Sequence, residues 1–328
     1  MEIKTFFDFC SGIGAGRLGL EQCGLTCVGR SDTSRLADTT YKLLHNTLDE
    51  KNYGNLKRLK GEDLPSYDVL IAGFPCQTFS VMGRKEGFND DRGQIIFHLS
   101  RLLRESRPTC FILENVKGLV THDNGNTIKT ILKELDDSGY ETTYKVIASL
   151  DHGVPQMRQR VYFVGFLKSL DLSIDNFAWP QPIPTPPLDG FLIDENNIPS
   201  ETDLWYFMRY LVNPTNINRH YSLEKFLEED LLILDTRMND MRIYRGKVPT
   251  LRAQRDGIYY TKNRQLHYLS GYEALLLQGF PKEYADRVKS IIDNRHLLMQ
   301  AGNAMTVNVI AAIGQAIKEF ISRQGEEK

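Results

Sequence analysis

Four short apolar runs, each ending in residues with chemistry to offer, constrain this chain more than any other feature. Tyr67-Asp68-Val69-Leu70-Ile71-Ala72 reads as a buried strand, and Gly73-Phe74-Pro75-Cys76-Gln77-Thr78-Phe79-Ser80 follows it directly. Pro75 has no backbone N–H and biases Phe74 towards an extended conformation, so sheet pairing should stop there and Cys76 should open a loop. A thiol at the carboxyl end of a parallel strand lies where open α/β sheets keep their chemistry. Taken alone, a free cysteine is more often an inert core residue.

The other three runs supply the context. Ile3 to Cys10 leads into Ser11-Gly12-Ile13-Gly14-Ala15-Gly16, a glycine-rich strand-to-helix turn whose backbone can approach a ligand closely. Thr26-Cys27-Val28-Gly29 leads to Asp32, where nucleotide-binding folds hold ribose hydroxyls. Cys110-Phe111-Ile112-Leu113 delivers Glu114, a carboxylate that is costly at the end of an apolar strand unless paired or protonated. Val81 to Gly93, with three glycines among charged residues, reads as a loop able to close over a substrate. Arg158 and Arg160 precede a strand at Val161–Val164 with strand spacing, so both are expected on one face, where a guanidinium pair can fix a buried carboxylate.

The whole-chain charge of −2 announces no nucleic-acid partner, so any such signal must be local. It is found between Arg237 and Arg264, where eight basic residues against two acidic ones give a local net of +6, interleaved with Tyr244, Tyr259 and Tyr260. Five prolines in the nine residues from Trp179 to Pro187 read as a linker. The five cysteines have no metal-ligand spacing, so no metal site is expected, and no apolar run approaches the roughly 20 residues of a membrane span. A reducing, cytoplasmic setting is the default expectation.

Taken in order, these motifs resemble the DNA (cytosine-5)-methyltransferases, in the bacterial restriction-modification style. The matching stretches are Asp8 to Gly14, Gly73 to Ser80, Glu114-Asn115-Val116, Gln156 to Arg160, Gln278-Gly279-Phe280-Pro281 and Gly302-Asn303-Ala304. The resemblance covers residues 1–170 and roughly 265–328. It implies a Rossmann-like α/β fold with a mixed, mostly parallel sheet, split in sequence as 1–178 and 265–328, and a small target-recognition domain at 179–264. It also implies S-adenosylmethionine as cofactor, double-stranded DNA as substrate, a flipped-out target base, a monomer, and compatibility with a separate restriction endonuclease.

The roles carried over are specific. Cys76 matches the nucleophile that attacks cytosine C6, Glu114 the carboxylate that meets N3 and the exocyclic amine, and Arg160 the arginine holding that carboxylate and O2, with Arg158 beside it. Phe9, Ser11, Gly12, Ile13, Gly14, Asp32, Asn55, Leu56, Phe74, Pro75, Asn303 and Ala304 match cofactor positions. Gln77, Ser80 and Arg92 match positions that approach DNA, Thr250-Leu251 a pair near the target phosphate, and Arg242 is the candidate base reader. Departures are Cys10 and Thr33 where aromatic residues are usual, Asn55 where an aspartate is usual, and Tyr272 and Leu276 where arginines flank the position of Glu273. Three alternatives remain open at this point: a tRNA methyltransferase of the same fold, a cysteine hydrolase using His122 or His152, and an inactive DNA-binding repressor.

Overall fold

A computed structural model describes residues 2–74, 95–236, 240–253 and 257–326. The chain divides into two compact units, residues 1–148, 159–182 and 304–328 in the first, and residues 149–158 and 183–303 in the second. In chain order the main elements are β1 (Thr5–Phe9), α1 (Ala15–Gln22), β2 (Thr26–Ser31), α2 (Arg35–His45), β3 (Val69–Gly73), α3 (Ile95–Ser106), β4 (Cys110–Val116), α4 (Asn126–Asp137), β5 (Tyr140–Ala148), β6 (Gln156–Met157) and β7 (Gln159–Leu167). There follow α5 (Glu201–Leu211), α6 (Leu223–Phe226), β8 (Ile233–Thr236), β9 (Met241–Tyr244), β10 (Val248–Pro249), β11 (Ile258–Lys262), β12 (Gln265–Tyr268), α7 (Gly271–Leu276), α8 (Lys282–Asp286), α9 (Asn294–Asn303) and α10 (Val307–Glu326).

The first unit is built on a six-stranded sheet of order β2-β1-β3-β4-β7-β5. β1 to β4 pair in parallel and β7 runs antiparallel to both of its neighbours, so the sheet is mixed and mostly parallel as expected. Burial on both faces accounts for the unbroken apolar character of β3 and β4, where Val69 to Ala72 and Cys110 to Leu113 are at most 1% exposed. Strand order reverses at β1, because β2 lies on one side of it and β3 on the other. That reversal places the carboxyl ends of β1 and β3 at a switch point, the usual ligand crevice of such sheets. Because β7 is antiparallel to β4, its amino end lies beside the carboxyl end of β4, with Arg160 opposite Val116 and Tyr162 opposite Glu114.

Between β5 and β7 the register is nearly that of a hairpin, with Ala148 opposite Gln159. The ten residues between them leave the first unit and belong to the second. The neck of this excursion is closed by the Ser149 N–H donating to the Arg158 carbonyl at 2.8 Å. After the return at Gln159, the next crossing between units falls at Pro182/Ile183, within the proline-rich stretch.

α10 closes the first unit against α1: a Cβ on Gly19 would lie 2.7 Å from Ile310 Cβ, so the helices meet where one has no side chain. The stretch Asn294–Arg323, reaching through α10, is long and apolar enough to cross a membrane by length and composition alone, but 67% of its most apolar part is buried in the protein. Its apolar residues Val309, Ile310, Ile313 and Ile317 are at most 1% exposed, which marks α10 as a core helix.

The second unit contains an antiparallel sheet of order β12-β11-β8-β9. Phe207 and Leu211 of α5 pack with Leu232, Leu234, Met241 and Leu266 to form its core. Asn263 and Arg264, both with positive φ, make the two-residue turn between β11 and β12, the hairpin geometry that fits strand twist. A two-residue parallel ladder joins β10 to β6.

Candidate active site

The carboxyl ends of β1, β3 and β4 each bring their expected residues to one edge of the first unit. Glu114 is 7% exposed, and its Oε1 lies 3.1 Å from Arg160 Nε. The ion pair answers the cost of placing a carboxylate at the end of an apolar strand. Phe74 follows β3 and is fixed from both directions: its N–H donates to the Glu114 carbonyl at 3.2 Å, and its carbonyl accepts from Asn115 Nδ2 at 3.1 Å. Asn115 stands in a recognised motif but was not singled out from sequence; a buried amide at a strand end was the available signal. Residues 75–94 lie outside the described part of the chain, and with them Pro75, Cys76, Gln77, Ser80 and Arg92.

Arg158 departs from expectation. The two arginines do not share a strand face: β7 begins at Gln159, and the chain turns just before it, with the Arg158 N–H donating to the Gln156 carbonyl at 2.8 Å. Arg160 belongs to the first unit, whereas Arg158 belongs to the second, is 2% exposed, and donates from Nη1 to the carbonyls of Leu251 at 3.1 Å and Gly302 at 3.2 Å.

At the end of β1 the glycine loop is held open by its own backbone. Cys10, Gly12 and Gly14 all have positive φ, and the Gly14 N–H donates to the Ser11 carbonyl at 2.8 Å. A Cβ at Gly14 would lie 2.2 Å from His45 Nε2, so glycine is required there on two counts. Asp32 braces the loop, one carboxylate oxygen accepting from the Gly12 N–H and the other from the Ser34 N–H, both at 2.8 Å. Asn55 Oδ1 accepts from the Lys57 N–H at 3.0 Å and keeps one lone pair for another donor. Phe9, Leu56 and Phe74 are buried, so Phe9 and Leu56 shape this region from beneath.

Charge at this edge is strongly modulated by burial. Burial pushes the Asp8 carboxyl up to about 8, against the lowering pull of the Arg17 backbone N–H and of the Arg17 charge. Burial, with Asp32 and Asp8 adding to it, holds the Cys10 thiol well above its ordinary range. Burial likewise raises the thiols of Cys23, Cys110 and Cys27, the last to about 12. The described cysteines are therefore neutral and poor nucleophiles.

In the second unit, Thr250 Oγ1 donates to the Met157 carbonyl at 2.6 Å, and the buried Leu251 gives its N–H to Gln156 Oε1 at 3.1 Å. Part of the basic stretch is already paired: Arg242 with Asp240 at 3.1 Å and Arg245 with Glu229 at 2.6 Å. Arg242 keeps about half its side chain exposed, and exposed pairs of this kind are weak. Arg237 and Arg255 lie outside the described residues. Asn303 is exposed at the end of α9 and Ala304 is buried.

Glu273, fully buried, receives hydrogen bonds from Tyr260 Oη at 2.8 Å, the Asp194 N–H at 3.0 Å, the Ser270 N–H at 3.1 Å and Ser270 Oγ at 3.2 Å. Neutral donors thus stand where arginines were expected. Burial pushes the Glu273 carboxyl up to about 7 despite them.

A sequence profile for C-5 cytosine-specific DNA methylases matches residues 4–319. The chain belongs to this family. Among curated relatives, the methylase is 35% identical to the type II methyltransferase M.BsuFI of Bacillus subtilis over 96% of its own length and 72% of that protein's. It is 33% identical to the type II methyltransferase M.HhaI of Haemophilus parahaemolyticus over 95% and 93% of the two chains. Its fold is similar to that of the Entamoeba histolytica methyltransferase EhMeth, with a TM-score of 0.72 at 18% identity, covering 98% and 99% of the chains. The family reaction is methylation of DNA cytosine at C5, and a methyltransferase of this family takes its methyl group from S-adenosylmethionine.

Proposed function

We propose that the chain methylates a flipped-out cytosine within a specific double-stranded DNA sequence, in the manner of a type II modification enzyme, with Cys76 as the nucleophile. The observation that carries the reading is the Glu114–Arg160 pair at the carboxyl end of β4, next to the strand that leads to Cys76. Bound S-adenosylmethionine supplies a methyl group on a positively charged sulfur. The residues of the first unit suit that cofactor: among the described residues nothing fills the space beside Gly12 and none partners the buried Ser11 hydroxyl, and the glycine loop opens into α1, whose N-terminus favours a carboxylate. Asp32, Asn55 and Asn303 are assigned to its ribose, adenine and methionine parts.

The Cys76 thiolate forms a bond to C6, and the electron pair displaced from the C5–C6 double bond makes C5 the nucleophile. Glu114 stabilises that state at N3 and the exocyclic amine, and Arg160 fixes the carboxylate and reaches O2. After C5 gains its methyl group, loss of the C5 proton to a base restores the double bond and expels Cys76 as thiolate. Residues 179–264, with Thr250, Leu251 and Arg242, are assigned to DNA recognition. A monomeric, cytoplasmic protein, with any restriction endonuclease acting separately, fits this reading.

The test is transfer of labelled methyl groups into DNA, followed by mapping of the methylated cytosines. DNA carrying 5-fluorocytosine should trap the protein covalently, because fluorine cannot leave C5 as a proton. A Cys76→Ser variant that methylates normally, or the absence of any adduct stable to denaturation, would refute the assignment.

A further inference from the structure

We propose that Arg158 is a positioning residue, coupling the segment that carries Thr250 and Leu251 to the end of α9 that carries Asn303, so that an occupied cofactor site is felt at the DNA-facing segment. The inference rests on the reading above, in which Asn303 meets the cofactor and Thr250 the target strand. Its basis is geometric. One buried guanidinium nitrogen joins the Leu251 and Gly302 carbonyls, which belong to segments far apart in sequence. The same two segments touch through backbone alone: a Cβ on Gly302 would lie 2.3 Å from the carbonyl carbon of Arg252 and 2.4 Å from the Ala253 nitrogen.

Neither segment has slack to absorb a displacement of the other. Gln156 receives the Leu251 N–H at 3.1 Å and passes its own Nε2 to the Leu277 carbonyl at 2.8 Å. Gln278 Nε2 donates to the Ala301 carbonyl at 2.5 Å, one residue before Gly302. Thr250 Oγ1 spends its single proton on the Met157 carbonyl, one residue before Arg158. A hydroxyl donating there cannot also donate to a phosphate, so engaging the target strand through it exchanges the bond to Met157 for one to DNA and releases a tie on the residue next to Arg158. A shift at the Gly302–Asn303 end is transmitted to the same place. Packed elements of this kind move between discrete arrangements instead of deforming continuously. Arginine suits the position because one nitrogen of its rigid planar guanidinium aims two N–H bonds in fixed directions, one at each carbonyl, which a lysine ammonium on a flexible stem does not hold in register.

The experiment measures affinity for a duplex carrying the site found methylated in cells expressing the protein, with and without saturating S-adenosylhomocysteine, for the wild type, Arg158→Lys, Gly302→Ala and the double variant. The wild type is expected to bind the duplex on the order of tenfold more tightly with S-adenosylhomocysteine present. In either single variant that ratio should fall towards one, and the double variant should lose no more, since both changes act on the same junction between the two segments. Arg158→Lys keeps the inference testable if Gly302→Ala, whose added methyl meets backbone, does not fold, and thermal melting of each protein reports folding. A merely structural role would lower melting temperature and leave the ratio intact. A wild-type ratio of one, or an Arg158→Lys or Gly302→Ala protein with the full wild-type ratio, overturns the coupling. Failure of the wild type to methylate DNA at all overturns the earlier reading instead.

Discussion

Arg160 Nε and Glu114 Oε1 stand 3.1 Å apart, both on side chains at least 86% buried, across the antiparallel junction of β4 and β7. Each residue neutralises the other out of water, and the replacements differ in what they leave: a glutamine at 114 can still accept the Arg160 N–H, whereas an alanine at 160 offers Glu114 no donor. Arg160→Ala leaves a buried carboxylate uncompensated and is expected to destabilise by up to about 3–5 kcal/mol. Glu114→Gln keeps the shape and removes the charge, so its melting temperature should change less while methyl transfer falls about 10²- to 10⁴-fold. Comparing denaturant midpoints with rates of labelled-methyl incorporation for the two variants checks this; a Glu114→Gln enzyme of normal rate would remove Glu114 from the chemistry.

Asn55 supplies a neutral acceptor where a charged one is usual, and its Oδ1 is already engaged with the Lys57 N–H. Asn55→Asp preserves that turn and adds charge. A hydrogen bond to a charged group is worth about 1.5–3 kcal/mol against about 0.5–1.5 for a neutral one, so S-adenosylmethionine affinity should rise by about 1 kcal/mol. Calorimetric titration decides the matter, and unchanged affinity would mean that Asn55 does not touch the adenine.

Arg242 is exposed and loosely held by Asp240, which leaves its guanidinium available to a groove edge. Arg242→Ala should cost about 1–3 kcal/mol on the cognate duplex and much less on a duplex altered at the base pair it reads. An equal loss on every sequence would reassign Arg242 to the phosphate backbone.

Glu273 gives the fold a pH dependence of stated sign. Its folded carboxyl sits near 7, above the ordinary value of 4.5, so its contribution is fully present below about 4.5 and is lost as pH rises through 7. The difference amounts to about 3 kcal/mol at most. Urea midpoints between pH 4.5 and 8 should decline for the wild type more steeply than for Glu273→Gln. Parallel curves would show that the neutral donors around Glu273 hold its carboxylate charged.

What the sequence disclosed and what it hid follow a physical division. Glu114 and the glycine loop were legible because burial on both sheet faces writes unbroken apolar runs, against which a carboxylate or a cluster of glycines stands out. Arg158 was misread because strand spacing governs facing only inside a strand, and the chain turns one residue before β7 begins. The donors that replace two arginines around Glu273 come from Asp194, Ser270 and Tyr260, on three separate segments, and no periodicity relates them. The pairing of Arg245 with Glu229 was hidden for the same reason, and net charge counted along the stretch overstated the free positive surface.

The close fit of Gly19 on α1 against Ile310 on α10 bears on how the protein is made. Synthesis runs from the amino end, so the flank of α1 that meets α10 stays uncovered while the nearly 300 residues between the two helices are made. A chain cut before residue 304 lacks the helix that covers this flank, and apolar surface left open in that way favours aggregation.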